Sequence, residues 1–222
     1  MKRLLFSLVA FMCIAVQAQN SMVSRCDETI QKFKDHPEKL AQAAETLIAR
    51  GITYDPSYQV IPYPNGDIDS TRGTSADFVI RAYRMAFDDD LQKTIYIYRS
   101  DKEHNWRQNE NDTLPADHNI DHRKVKCLDE MLFAIYDASL AWYPQAPDST
   151  KFHRGEIVVW KFDEDNWQIG ICIGENKVAY VNKTGYVVGP VKCRDKIINH
   201  YSLYPYKAES LKRFYEQHPE AD

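Results

Sequence analysis

Apolar residues recur at helical spacing in three segments of the chain. The three sets are Leu40, Ala43, Ala44, Leu47 and Ile48; then Phe78, Val79, Ala82, Met85 and Ala86; then Leu128, Met131, Leu132 and Ile135. Each set covers one face of a helix, so the sequence predicts three amphipathic helices. Pro37 fits the first turn of the first helix and Gly51 its end. Ser75 stands where the N-cap of the second helix is expected, and that helix is predicted to end near residues 88–90.

Beyond residue 150 the pattern changes to short apolar segments with the spacing of strands. The predicted strands are Ile157–Phe162, Trp167–Ile173, Val178–Asn182, Tyr186–Val191 and Tyr201–Tyr206. The segment 174–177 has the composition of a hairpin turn between the second and third strands. Helices followed by an antiparallel meander indicate an α+β fold. The tail 209–222 is predicted to form a short terminal helix.

The N-terminus has the pattern of a secretory signal peptide. Lys2 and Arg3 precede an apolar run, 4–16, that ends in the small-residue pattern Val16-Gln17-Ala18. The run is short for a membrane span, and no second apolar stretch follows it. We therefore expect a signal peptide at 1–18 and one exported, not membrane-spanning domain at 19–222, in the periplasm or outside the cell.

Charge and cysteine content narrow the function classes. The chain carries a net charge of −4, and loss of Lys2 and Arg3 with the signal would leave 26 basic against 32 acidic residues. This excess of acid argues against nucleic acid as a partner. After export four cysteines remain, Cys26, Cys127, Cys172 and Cys193, and the sequence leaves their three full pairings open. None is predicted at a helix N-terminus beside a histidine, so we expect no activated thiol.

Several ordered motifs resemble those of the family named domain of unknown function 1287 (DUF1287). They are Tyr54-Asp55-Pro56, Ile61-Pro62-Tyr63-Pro64 with Gly66-Asp67, Arg72-Gly73-Thr74-Ser75-Ala76-Asp77, Asp90-Leu91-Gln92, Asn119-Ile120-Asp121-His122-Arg123, Gly155-Glu156-Ile157-Val158 and His200-Tyr201. The resemblance runs from about residue 45 to residue 206. It implies a papain-like fold of the type found in NlpC peptidoglycan peptidases, with helices packed on a small antiparallel sheet.

In that superfamily a nucleophilic cysteine lies at a helix N-terminus, where unpaired N–H groups and the helix dipole stabilise its thiolate. A histidine on a neighbouring strand takes the proton, and a polar residue on the next strand orients the imidazole. The matching positions in this chain are Ser75, Gln168 and Asn182. A serine hydroxyl without a base is a very weak nucleophile, and an amide does not act as that base. The resemblance therefore implies a catalytically inactive relative.

Three other ways in which this chain could have a catalytic site have less support in the sequence than an inactive site. His122 or His200 could serve Ser75 as a base from a loop, but no spacing places either there. Cys172 lies in an apolar strand, where burial would raise its pKa. His118, Asp121 and His122 have ligand chemistry without a specific spacing, so we expect a solvated polar loop, with no metal and no cofactor.

The leading function hypothesis is a binding module for a peptide or a peptidoglycan stem, in a groove between the Ser75 helix and the Gln168 strand. The candidate binding residues are Tyr63, Asp67, Asp77, Trp160, Trp167, Asp121 and His122, with Asn182 at the superfamily's orienting position. One alternative is an amidase or peptidase that uses Ser75 with an unidentified base. Another is a structural envelope protein whose groove its own side chains fill. The oligomeric state stays open.

Overall fold

The computed structural model describes residues 34–100, 115–137, 151–162, 166–191 and 197–202, together with the single residue Ser24. The predicted signal peptide, the terminal helix at 209–222, and Cys26 and Cys193 lie outside the described residues. Among the described residues, no helix combines the length and the apolarity needed to cross a bilayer.

Helices dominate the first part of the described chain. They are α1 (His36–Ile48), α2 (Ser75–Phe87), α3 (Leu91–Ser100), a 3-10 turn at Asp121–Arg123, and α4 (Val125–Asp137). The three helices that the sequence predicts are confirmed, but the pattern did not reveal α3 or the 3-10 turn. The third predicted helix also begins earlier than its first apolar residue, Leu128, would suggest.

The N-cap of α2 is Thr74 rather than Ser75. The Thr74 hydroxyl accepts a hydrogen bond from the backbone N–H of Asp77, and the Asp77 carboxylate accepts one from the backbone N–H of Thr74 at 2.6 Å. This reciprocal capping box satisfies two donors at the helix start. Ser75 is therefore the first residue inside the helix, and its side chain is not needed as a cap.

The second part of the chain forms a five-stranded antiparallel sheet in the order β6-β5-β4-β3-β7. Its strands are β3 (Ile157–Lys161), β4 (Trp167–Gly174), β5 (Lys177–Asn182), β6 (Gly185–Pro190) and β7 (Ile197–Tyr201), after a two-residue parallel pair, β1 (Thr53–Tyr54) with β2 (Arg72–Gly73). The first four strand predictions are confirmed to within a residue or two at their ends. The fifth was wrong in its bounds, since β7 ends where that prediction began.

The sheet buries apolar side chains on both of its faces. Ile157, Val159, Ile169 and Ile171 face the helices and share one core with Phe78 of α2. The alternate residues belong to a second cluster on the other face, namely Phe152, Val158, Trp160, Cys172, Val178 and Ile197. This burial on both faces explains why β3 reads as a continuous apolar run. The described chain is thus an α+β domain with its helices on one side of an antiparallel sheet.

Candidate functional site

A cleft of about 400 Å³ lies where β4 begins, beside the first turns of α2 and α4. Its described lining consists of Tyr54, Pro56, Thr74, Ser75, Ile120, Arg123, Lys124, Val125, Lys126, Trp167 and Gln168. Ser75 and Gln168, which lie far apart in the sequence, are therefore brought to one site. Trp167 is another predicted binding residue that lines it.

Ser75 is 3% exposed and lies in the first turn of α2. No hydrogen bond joins its hydroxyl to any described residue. The cleft's described lining contains no histidine, aspartate or glutamate. His122 and His200, the two histidines considered as a base for Ser75, are buried outside this lining, and burial lowers the pKa of His122 to about 4. The described residues thus place a hydroxyl in the cleft without a proton acceptor beside it.

Gln168 lines the cleft from the start of β4. It pairs across the ladder with Trp160, and directly opposed residues share a face of the sheet. Its neighbour Ile169 points instead into the helix-facing core. Its amide oxygen is buried and has no hydrogen-bond partner among the described residues. Gln168 thus lines the cleft together with Ser75, and strand alternation sets its side chain on the opposite face of β4 from that of Ile169.

Asn182 ends β5 and does not belong to the described lining of the cleft. Its side-chain oxygen accepts hydrogen bonds from the backbone N–H of Thr184 at 2.8 Å and from the Thr184 hydroxyl at 2.7 Å. These contacts stabilise the turn between β5 and β6. The structure therefore gives Asn182 a local role in the turn and does not bring it to Ser75.

The charge of the cleft lining is positive. Arg123, Lys124 and Lys126 contribute cationic side chains to the described lining, and no acidic residue balances them there. Arg123 is neutralised behind the surface by Asp77, and Lys124 lies 3.1 Å from the Asp121 carboxylate. Lys126 is exposed and has no ion pair with a described residue. The first-turn N–H groups of two helices add partial positive charge at the same place.

The family-like motifs build the wall of this cleft through buried ion pairs. The Arg123 guanidinium donates to Asp77 at 2.9 and 3.2 Å, and both side chains are almost fully buried. It also donates to the backbone oxygens of Ser57 at 2.6 Å and Asp55 at 2.8 Å. One residue thus ties the 3-10 turn, the first turn of α2 and the loop after β1 together. Asp77 serves this structure and is not part of the described lining.

Buried amides fix the rest of that loop. Gln92, fully buried, accepts from the backbone N–H of Gly66 at 2.7 Å and donates to the backbone oxygens of Pro62 and His118, each at 3.0 Å. Asn119 accepts from the backbone N–H of Ile61 at 3.0 Å. A Cβ on Gly66 would collide with the backbone of Pro62, so the close approach requires glycine. The Pro-Asn-Gly-rich segment is therefore an ordered loop.

The remaining predicted binding residues lie elsewhere. Asp67 forms a bidentate ion pair with Arg81, at 2.8 Å for both contacts. Tyr63 is 39% exposed and packs against the rings of Tyr96 and His118, both with centroids 5.1 Å away. Trp160 lies on the far face of the sheet in the second apolar cluster. None of the three predicted residues belongs to the described lining of the cleft.

The expectation of a solvated loop at 118–123 was wrong for its second half. Asp121 and His122 are 2% and 3% exposed, and the Asp121 carboxylate accepts from Arg99 at 2.9 Å. Among the described residues, no group of three or more His, Cys, Asp or Glu side chains is arranged to hold a metal ion. Asp121 therefore stabilises the junction of α3, the 3-10 turn and α4.

Sequence reasoning missed two buried polar clusters beside β7. His200 lies 2.7 Å from the Glu156 carboxylate. Asp129 of α4 accepts from the side chain of Asn199 at 2.7 Å and from the hydroxyl of Tyr201 at 2.7 Å. Polar residues inside the strand-like motifs, such as Glu156 and His200, were the sequence feature that could have indicated these clusters. These contacts lock β7 to β3 and α4.

The described cysteines, Cys127 and Cys172, are free and buried. Burial raises the pKa of Cys127 to about 12, and it raises that of Cys172 further above the usual range. Neither thiol lines the cleft, and neither is ionised near neutral pH. The expectation that Cys172 is a buried strand residue is confirmed.

Comparison with known proteins agrees with the motif resemblance. The profile of the family described as "Domain of unknown function (DUF1287)" matches residues 41–204. The Escherichia coli (strain K12) protein described as "Uncharacterized protein YijF" is 33% identical to this chain over 132 residues. That alignment covers 60% of this chain and 62% of YijF, so it spans less than two thirds of the relative.

Proposed function

Because the chain belongs to the DUF1287 family, we propose that it is a non-catalytic binding protein with a papain-like fold. It works outside the cytoplasm, because its N-terminus resembles a signal peptide for export. Its cleft holds a peptide with a free carboxylate, such as a peptidoglycan stem peptide. The observation that carries this proposal is a cleft that places the Ser75 hydroxyl at a helix start with cationic neighbours and no proton acceptor in its described lining.

Ser75 has no general base among the described residues that line the cleft. Hydroxyl nucleophiles need a general base within hydrogen-bond reach, and the described lining supplies none. The five described histidines all lie outside that lining. A hydroxyl and two helix starts can still donate hydrogen bonds to a bound carboxylate. The same groups that fail as a catalyst therefore suit an anion-binding site.

The lining also favours a peptide over a simple ion. Tyr54, Pro56 and Trp167 give the cleft apolar surface next to its cationic groups. The volume of about 400 Å³ matches the lower range of clefts that bind small organic ligands. The described side chains do not fill this space, which disfavours a purely structural role. A peptide end offers both an apolar side chain and a carboxylate.

Binding can be tested with a stem tetrapeptide that has a free C-terminal carboxylate, titrated into the purified mature protein by calorimetry. Lys126→Gln is expected to weaken binding about tenfold, because one charge-assisted hydrogen bond is lost. Lys93→Gln removes the same charge from an exposed position of α3, outside the cleft, and serves as the matched control. Equal affinity of the Lys126→Gln variant and the wild type would contradict the proposed site.

The hydrolase alternative has its own outcome. We expect no cleavage of the tetrapeptide by the wild-type protein over prolonged incubation, followed by mass spectrometry. Hydrolysis that disappears in Ser75→Ala would establish catalysis by Ser75 and overturn the inactive assignment. Hydrolysis that persists in that variant would point to a contaminating peptidase.

A further inference from the structure

A second pocket, of about 380 Å³, lies between the end of α1, the middle of α2 and the start of β6. Its described lining is Leu47, Arg50, Gly51, Asp67, Ser70, Thr71, Arg81, Arg84, Met85 and Tyr186. It shares no described residue with the cleft at Ser75. A ligand in this pocket would therefore contact none of the described residues that line the cleft.

The pocket has an excess of positive charge. Three arginines, Arg50, Arg81 and Arg84, line it against a single acid, Asp67. Arg81 is committed to structure, since its guanidinium holds Asp67 through two contacts of 2.8 Å. It also donates to the backbone oxygens of Ser70 and Asp69, each at 3.3 Å. Of the other two arginines, Arg84 forms an ion pair with Asp90, which is outside the described lining, and Arg50 has no ion pair with a described residue.

Arg84 has unused donors. Its Nη2 donates to the backbone oxygen of Gly66 at 2.8 Å and to Asp90 at 3.1 Å. Its Nη1 has no acceptor among the described residues, and its Nε is buried without one. A guanidinium carries five N–H donors, so most of those on Arg84 are unmatched. The buried Nε–H is the donor that matters most, because a buried donor is normally paired and no described residue accepts from it.

Arg50 supplies the second guanidinium group that could bind an anion in this pocket. It is exposed at the end of α1, and it has no ion pair with a described residue. Tyr186 forms part of the same wall, and its ring is fixed edge-on against Phe78 with centroids 5.4 Å apart. Leu47 and Met85 give the pocket an apolar side. Cationic and apolar groups thus meet in one pocket.

We propose that this pocket is a binding site for an organic oxyanion, a phosphate or carboxylate group carried on a small apolar moiety. Guanidinium groups bind such oxyanions through paired N–H donors, which makes arginine the usual residue for this recognition. Arg50 and Arg84 hold the anionic group, and Leu47 and Met85 contact the apolar part. The volume leaves room for more than the anion alone.

The site is tested by titrating inorganic phosphate into the full mature protein and following backbone amide shifts by NMR. Saturable shifts are expected at the end of α1 and the start of β6, at millimolar phosphate. Arg50→Gln should weaken this binding about tenfold, because it removes one charge-assisted contact. Lys39→Gln, an exposed charge elsewhere on α1, should leave it unchanged.

Arg50→Gln is the principal variant because the Arg50 side chain has no hydrogen bond or ion pair with a described residue that its loss would break. Arg84→Gln also breaks the contact with Asp90, and it is interpreted only if its amide spectrum matches the wild type. A parallel titration with acetate distinguishes a phosphate site from a carboxylate site, since the anion that binds with the higher affinity identifies the preferred group. Absence of saturable shifts with both anions, or equal affinity in Arg50→Gln, would overturn the site. Neither result bears on peptide binding in the cleft at Ser75.

Discussion

Two neighbouring hydroxyl residues at the start of α2 have different roles. Thr74 closes the capping box with Asp77, whereas Ser75 faces the cleft from the first turn. We predict that Thr74→Ala lowers the free energy of unfolding by about 1 kcal/mol, the usual cost of losing an N-cap. Ser75→Ala should change it by less than about 0.5 kcal/mol. Urea denaturation of both variants checks this, and an equal loss in the two would place the cap at Ser75 after all.

His122 makes stability depend on pH. Burial lowers its pKa from 6.5 to about 4; the attraction of Asp77 and Asp67 opposes this shift, and the repulsion of Arg84 and Arg123 adds to it. The unfolded chain therefore binds a proton near pH 6.5 that the folded protein refuses until about pH 4. The contribution is complete above the unfolded pKa and is lost as the pH falls through this window.

The expected loss across the window is about 3 kcal/mol, with a slope of up to about 1.4 kcal/mol per pH unit. Denaturant unfolding at a series of pH values measures it. His122→Gln removes the titrating group. The slope of its unfolding free energy against pH should therefore be shallower than that of the wild type by up to about 1.4 kcal/mol per pH unit, the equivalent of one proton. If wild type and variant lose stability in parallel between these pH values, the buried imidazole is not the cause.

The spacing of polar residues around the start of α2 distinguishes Thr74 from Ser75 as the N-cap. Thr74 is followed three residues later by Asp77, the spacing of a capping box, whereas the residue three after Ser75 is Phe78. The meeting of Ser75 with Gln168 was predictable through the motif resemblance. The orientation of Gln168 was not, because it depends on which face of β4 turns toward the helices.

At the level of elements, buried and exposed ion pairs make a matched comparison. Arg123 joins the 3-10 turn to α2 through Asp77 and is 1% exposed in its side chain. Arg154 joins the segment before β3 to α1 through Glu38 and Glu45, whose side chains are about half exposed. Each arginine makes bidentate contacts, so the main difference is solvent access.

We predict that Arg123→Met lowers the free energy of unfolding by about 3–5 kcal/mol, because it strands the buried Asp77 carboxylate. Arg154→Met should cost at most about 1 kcal/mol, since water screens its partners and solvates them once it is gone. Urea denaturation under identical conditions compares the two. Similar losses would show that burial does not set the strength of these contacts.

The helices and strands that could be predicted have apolar residues at a clear helical or strand spacing, and the elements that were missed do not. Segment 94–98, Thr-Ile-Tyr-Ile-Tyr, is rich in β-branched and aromatic residues, which are typical of strands. It is nevertheless helical in α3, because Leu91 and Ile95 reach the core one turn apart. Tertiary packing there overrides local preference. The partners of Arg123 lie 46 and 68 residues away in the sequence, a separation that no local pattern encodes.

At the level of the whole molecule, the free thiols report on global unfolding. Cys172 lies in the central strand and is fully buried, while Cys127 packs into the helical core. Burial raises the pKa of both thiols, so neither reacts as a thiolate in the folded state. Alkylation of either residue therefore requires opening of the core.

We predict that iodoacetamide at neutral pH modifies Cys127 and Cys172 only at the rate of global unfolding, and quickly in concentrated urea. Peptide mapping by mass spectrometry assigns each site, and the fully unfolded chain gives the reference rate. The destabilised Arg123→Met variant should react faster at both positions by a common factor. Rapid, stoichiometric modification of one of them in the native protein would reveal an activated thiol.

The loop that forms one wall of the cleft also bears on how fast a ligand binds. Gln92, Asn119 and Arg123 hold its backbone with side-chain hydrogen bonds before any ligand arrives. A wall that is already ordered does not add its own conformational entropy to the cost of association. Encounter then needs no rate-limiting rearrangement of this wall, and ligands of different affinity should differ mainly in their residence times.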